Sequence, residues 1–191
     1  MKRLLHNWIS FMALSGVLLL GGCTMSTTMP GASADKFSAA LDAMNAEEYQ
    51  RAEGLLLSIN DREPDHAGVW ANLGIVLSRQ GRQEEALQAL EKAIALNSGL
   101  AAAHNELGLL HRRAGRLLQA QTSYKAALAA DQDYAGAHRN LGVLYDLYLA
   151  DPNLALAHYQ RFVELVPADK QVVKWIAELE VRVQQREAHN Q

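Results

Sequence analysis

Residues 67–100 read AGVWANLGIVLSRQGRQEEALQALEKAIALNSGL, and residues 101–134 read AAAHNELGLLHRRAGRLLQAQTSYKAALAADQDY. Laid on one another, the two stretches agree at Leu73 and Leu107, Gly74 and Gly108, Gly81 and Gly115, Ala86 and Ala120, and Ala93 and Ala127, each pair 34 residues apart. Leu141-Gly142 carries the same phase a step further. A period of this length marks a stacked-helix array. A glycine inside a helix is unfavourable by about 1 kcal/mol against alanine, so its recurrence predicts a place where two helices approach closely. The matching alanine on the second helix is expected to serve the same contact. Gly81 and Gly115 fall just after the first helix of each unit, where a left-handed residue is wanted. Trp70, Leu73 and Leu77, with Leu90 and Leu96, are the expected knobs of one unit.

This pattern resembles the tetratricopeptide repeat (TPR). Residues 67–100 carry it as Trp70, Leu73, Gly74, Leu77, Ala86, Leu90 and Ala93, with Ser98 where the family usually has proline. Residues 101–134 carry it as His104, Leu107, Gly108, His111, Ala120, Tyr124 and Ala127. Residues 135–168 carry it as His138, Leu141, Gly142, Tyr145, Ala155, Tyr159, Phe162 and Pro167. This third unit has one extra residue around Asp151-Pro152-Asn153, where Asp151 can cap a helix that begins with Pro152. Residues 33–66 form a weaker unit: Ala52, Leu56 and Pro64 are in phase, but Ala39-Ala40 replace Leu-Gly. Terminal repeats are often atypical because one face meets water.

The expected helices are 35–45, 47–60, 67–80, 83–96, 101–114, 117–130, 135–149, 152–166 and 169–187. No segment alternates with period two, so no strand is expected. In the last helix Val172, Ile176, Leu179 and Val183 make one apolar stripe, and Asp169 is the expected N-cap. The domain plan is then a TPR region over 35–168 and a capping helix with tail over 169–191. Trp175 is expected to pack on the last repeat. The resemblance implies an all-α solenoid of antiparallel helix pairs in a right-handed superhelix.

The first residues read as an address. Lys2 and Arg3 precede an apolar stretch from Trp8 to Leu20, shorter than the roughly 20 residues that span a bilayer. Leu20-Gly21-Gly22-Cys23 resembles the lipobox of bacterial lipoproteins. The resemblance implies that residues 1–22 are a signal peptide and that Cys23, the only cysteine, carries covalent lipid. Each buried CH₂ of such a chain contributes about 0.8 kcal/mol to anchoring. Thr24 rather than Asp after the cysteine points to the periplasmic face of the outer membrane. Residues 23–34 are expected to be a lipidated, flexible tether.

Composition narrows the function. The chain has 18 basic and 21 acidic residues, a net charge of -3, and loss of Lys2 and Arg3 would make it -5. An acidic chain lacks the basic face that nucleic acid requires. There is no phosphate-binding loop, no nucleophile elbow and no zinc-protease helix. His104, His111 and His138 could be weighed as a metal cluster, but all three fall on packing positions of the repeat. No catalytic residue, metal site or cofactor is expected beyond the lipid on Cys23. Glu84-Glu85 suit the start of a helix. His111-Arg112-Arg113 with Arg116 form a local basic cluster at a helix end.

In TPR proteins the first helix of each pair lines a concave face. Carried over residue by residue, that face holds Asn72, Ile75 and Arg79; then Asn105, Leu109, Arg112 and Arg113; then Arg139, Val143 and Asp146. Ile75, Leu109 and Val143 would form an apolar floor flanked by arginine and asparagine. Such a groove suits an extended or helical peptide with apolar anchors and a few acids. The carboxylate clamp of chaperone-binding TPRs is absent, because Ala71 and Ile75 stand in its Lys and Asn places. The resulting expectation is a non-enzymatic scaffold for an envelope protein, with a role in pilus or secretion assembly. A cell-wall hydrolase adaptor, a partner of a TonB-like system and a self-associating dimer are the alternatives.

Overall fold

A computed structural model describes residues 31–189, which form nine helices and no strand. They are α1 (Gly31–Asn45), α2 (Tyr49–Asn60), α3 (Ala67–Arg79), α4 (Gln83–Leu96), α5 (Ala101–Arg113), α6 (Leu117–Ala130), α7 (Ala135–Leu147), α8 (Pro152–Leu165) and α9 (Lys170–His189). Consecutive helices pair within each unit, and each pair packs on the next. This is the all-α TPR solenoid that the resemblance implies. Two buried clusters run along it, one from Ala40 to Leu110 and one from Ala120 to Leu179. No described helix is long and apolar enough to cross a membrane.

The recurring glycines make the close approach expected of them, with a different partner. A Cβ on Gly74 would fall 2.6 Å from Leu90 Cγ, and one on Gly108 would fall 2.5 Å from the Tyr124 ring. Gly142 meets the Tyr159 ring in the same way. The bulky residue of the second helix therefore fills the space that the glycine leaves. Ala86 contributes its backbone carbonyl, 3.2 Å from the Gly74 position, rather than its methyl group.

Helix ends explain where the boundaries moved. Gly81 and Gly115 take φ of 81° and 72°, and the next residue reaches back: Arg82 N–H to Leu77 O (3.0 Å) and Arg116 N–H to His111 O (2.8 Å). Glu47, 34 residues before Gly81, does the same at φ 57°, with Glu48 N–H on Ala43 O at 2.8 Å. That turn uses residues 46–48, so α2 starts at Tyr49, not 47. α1 starts at Gly31 with Ser33 buried, so residues 31–34 are helical and not part of a flexible tether. Residues 23–30, including Cys23, lie outside the described residues. After α7 the extra residue widens the turn: Ala150 takes φ 55° and Asp151 N–H reaches Tyr145 O at 3.0 Å. α7 accordingly ends at Leu147. Asp151 then accepts from Leu154 N–H at 3.0 Å with Pro152 opening α8, as expected.

α9 packs on α8 in the place that the first helix of another unit would take. Asp169 caps it, accepting from Gln171 and Val172 N–H at 3.0 and 3.1 Å. Val172 and Leu179 are fully buried and Ile176 and Val183 are half-buried, so the predicted stripe faces the stack. The Trp175 ring lies 5.7 Å from that of Tyr159, which confirms its packing role.

Candidate peptide groove

α3, α5 and α7 are the first helices of the three clear units and carry the candidate groove. Ile75, Leu109 and Val143 occupy one register on them and are all half-buried, so each keeps apolar surface toward solvent. Around this row, neighbouring first helices are tied by polar contacts one or two residues beyond the period. Arg113 Nη1 donates to Ser78 Oγ at 3.2 Å, and Asn140 Nδ2 donates to Asn105 Oδ1 at 2.9 Å. The Arg112 guanidinium lies over the Tyr148 ring at 5.9 Å, and that of Arg139 lies over Trp175 at 5.3 Å. Arg182 donates to Asp146 at 2.6 Å.

These contacts divide the expected groove residues. Asn72 donates to Gly68 O of its own helix at 2.8 Å. Asn105 is buried and committed to Asn140. Arg79 is neutralised by Glu106, whose Oε1 accepts from Arg79 Nη1 at 3.2 Å and from Ser78 Oγ at 2.8 Å. Asp146 has a side chain only 9% exposed and is held by Arg182, so it fastens α9 instead of facing a partner. Burial, then the Asp146 carboxylate, pushes the adjoining Tyr159 hydroxyl above its usual pKa, which keeps it neutral. Arg112, Arg113 and Arg139 have no carboxylate partner among the described residues. Arg112 Nε and Arg139 Nε are buried without a hydrogen-bond partner. What remains is an apolar row beside three guanidinium groups that have no carboxylate partner among the described residues.

Sequence reasoning missed Glu106, Asn140, Tyr148 and Arg182, all of which hold first helix to first helix. For Asn140, Tyr148 and Arg182 the signal is a spacing of 35 or 36 from the partner side chain, close enough to the period to be hidden by it, whereas Glu106 lies 28 and 27 residues from Ser78 and Arg79. A second missed pattern concerns the aromatic position of each unit. Trp70 Nε1 donates to Pro64 O at 2.6 Å, and the ring Nε2 atoms of His104 and His138 contact Ser98 O and Gln132 O at 2.9 and 3.0 Å. Each donor follows its carbonyl by six residues. The position therefore takes Trp or His because a ring N–H ties down the loop between units.

The three histidines weighed as a cluster do not meet. His104 and His138 are each held by their own loop carbonyl, and His111 is half-buried with an unpartnered Nδ1. Burial, then the nearby Arg116, holds the His111 pKa below the ordinary value. Among the described residues no three or more His, Cys, Asp or Glu converge on a metal position. Glu85 lies in the first turn of α4, paired to Arg82 at 2.5 Å, and Arg82 bridges on to Glu53 at 2.6 Å.

Comparison with known proteins agrees with this architecture. Residues 74–115 match the family model described as TPR repeat, and residues 105–147 match one described as tetratricopeptide repeat. The chain therefore contains TPR repeats. Among solved structures, a MamA protein is 19% identical, with 85% of this chain and 88% of that one covered at a TM-score of 0.65. The Pseudomonas aeruginosa pilF structure is 20% identical, with 81% and 70% covered at 0.73. A thermophilic TPR protein of Thermus thermophilus is 25% identical, with 78% and 81% covered at 0.66. No curated protein sequence matches the chain. TPR proteins are protein-interaction scaffolds, and this chain has their fold.

Proposed function

We propose that this protein is a lipid-tethered envelope adaptor whose concave face captures a peptide segment with apolar anchors and acidic residues. The observation that carries the reading is the half-buried row Ile75, Leu109 and Val143 beside Arg112, Arg113 and Arg139, which have no carboxylate partner among the described residues. An apolar row seats side chains at regular spacing, and unpaired guanidinium groups favour carboxylates near them. A TPR protein named YrrB, 22% identical over 75% of this chain at a TM-score of 0.59, is described as having an unusual peptide-binding site. The lipobox-like segment ending at Cys23 supports anchoring at the periplasmic face of the outer membrane. The resemblance to pilotin-type lipoproteins favours a role in assembling a pilus or secretion complex. The fold and the groove both speak for binding rather than catalysis.

A photo-reactive residue at Leu109, with one at exposed Leu118 as control, tests the groove in intact cells. One dominant envelope protein captured from Leu109 and not from Leu118 supports the adaptor. Equal capture from both positions rejects the groove. Deletion of the gene that leaves secretin assembly, motility and surface pili unchanged rejects the pilus assignment and leaves the groove reading to the crosslink.

A further inference from the structure

On the far side of α7 from the groove, two histidines that lie twenty residues apart in sequence face one another. His138 is buried and His158, on α8, is partly exposed; their Nδ1 atoms stand 3.1 Å apart. His138 Nε2 contacts Gln132 O at 3.0 Å, and a carbonyl can only accept, so Nε2 carries the proton. The neutral ring then presents a bare Nδ1 lone pair toward His158. His158 is held in its plane by the Tyr145 ring, stacked at 5.7 Å with an interplanar angle of 8°. Tyr145 is fixed in turn, accepting from Gln121 Nε2 at 2.9 Å.

We infer that His138 and His158 form a two-imidazole binding site for a divalent transition-metal ion, copper(II) above all. Metal–imidazole bonds are roughly 2.0–2.1 Å long, so two nitrogens at this separation subtend an angle of about 98° at the ion. That is a cis pair in a tetragonal or distorted tetrahedral set, which imidazole and water ligands give with copper(II). Copper(II) also heads the affinity order for such nitrogen sites. The carbonyl of Gln132 holds the distal ring N–H of His138, the partner that orients metal-bound imidazoles generally. Among the described residues no third histidine or carboxylate joins the pair, so solvent on the exposed side of His158 supplies the remaining ligands.

In the metal-free pair the one N–H of His158 lies between the two Nδ1 atoms; when the ion takes its place, His158 changes tautomer by exchange with solvent and carries its proton on Nε2, so both rings bind as neutral imidazoles. Burial, then the neighbouring His138 and Lys125, holds the His158 pKa down to about 4. The Lys125 charge also opposes a bound cation. Replacing it with a neutral side chain therefore tightens binding. The pair is peculiar to the third unit: the places of His138 and His158 hold Trp70 and Ala89 in the first clear unit, and His104 and Ser123 in the second.

The test titrates the full chain in detergent with copper(II), read by calorimetry and by electron paramagnetic resonance. The expected result is one site per chain with two imidazole nitrogens in the hyperfine pattern. His158→Ala weakens it at least about 100-fold, since even supporting residues of a metal site are worth 10–100-fold. Lys125→Met tightens it, and His111→Ala leaves it unchanged. Ala89 fills the place of His158 in an intact unit, so His158→Ala is expected to fold, and circular dichroism checks this. Equal copper binding by wild type and His158→Ala overturns the inference and leaves a hydrogen-bonded pair only. A wild type without such a site overturns it as well.

Discussion

Gly108 and Gly54 are both helical glycines, yet their surroundings give them opposite roles. A Cβ on Gly108 collides with the buried Tyr124 ring, whereas nothing lies within 4 Å of one on Gly54. Gly108→Ala should therefore lower stability by roughly 1–3 kcal/mol through overpacking. Gly54→Ala should raise it by up to about 1 kcal/mol through helix propensity. Urea unfolding of both variants checks the signs. The recurrence of Gly108 at the period made its role legible, while Gly54 falls on no repeated position. Asn60 is a third informative residue. It is buried with neither side-chain atom hydrogen-bonded, at the place of Ile94 and Leu128 in later units. An unmet amide costs about 1–3 kcal/mol, so Asn60→Leu should stabilise the chain by roughly 1–2 kcal/mol in the same assay. The groove residues were less legible, because Asp146 and Arg79 look free until Arg182 and Glu106 are placed beside them. His158 makes stability depend on pH. Its folded pKa of about 4 lies below the ordinary 6.5, so the unfolded chain takes up the proton first. Its contribution is complete above about 6.5 and is lost as pH falls toward about 4. His158→Ala should flatten the urea midpoint across that window, and an unchanged slope would reject the assignment.

Among the elements, α9 shows how much a pattern foretells and where it stops. Its stripe was read from spacing alone, and Val172 and Leu179 are indeed fully buried. The polar bonds that fasten it could not be read, because Arg182 to Asp146 and Trp175 over Arg139 span 36 residues, beyond any local rule. Helix starts erred for a similar reason. Glu47 is not glycine, so its left-handed turn was invisible until its place opposite Gly81 was seen. The packing of α9 on α8 rests on few large side chains. Leu179→Ala removes one that is 1% exposed and should cost about 2–5 kcal/mol. Since Trp175 sits two turns or less from it, its fluorescence should shift to the red before the helices of the earlier units lose circular dichroism. A single coincident transition would mean that α9 and the repeats form one cooperative unit.

At the scale of the whole molecule, a solenoid gains stability from each unit and from the interface with its neighbour, so weak units can open by themselves. The unit formed by α1 and α2 is built from the least favourable pieces. Ala39-Ala40 stand for Leu-Gly, Asn60 leaves its amide unmet, and Lys36 replaces the ring donor that ties the loop in the next three units. Glu47 also closes α1 in a left-handed conformation that favours glycine, a local strain that Gly81 and Gly115 avoid. At the other end α9 has an N-cap, a bound aspartate and a buried stripe. Hydrogen exchange should therefore show the lowest protection in α1 and α2, rising to a maximum across α3 to α8. Asn60→Leu should raise the protection of α1 and α2 selectively and leave α7 and α8 unchanged. Uniform protection along the chain would instead mean that the interface between α2 and α3 couples the first unit fully to the rest. The groove formed by α3, α5 and α7 would then share the stability of the whole stack. With a graded profile, it sits on the units that remain folded when the first unit opens, so a partner can stay bound while that end yields.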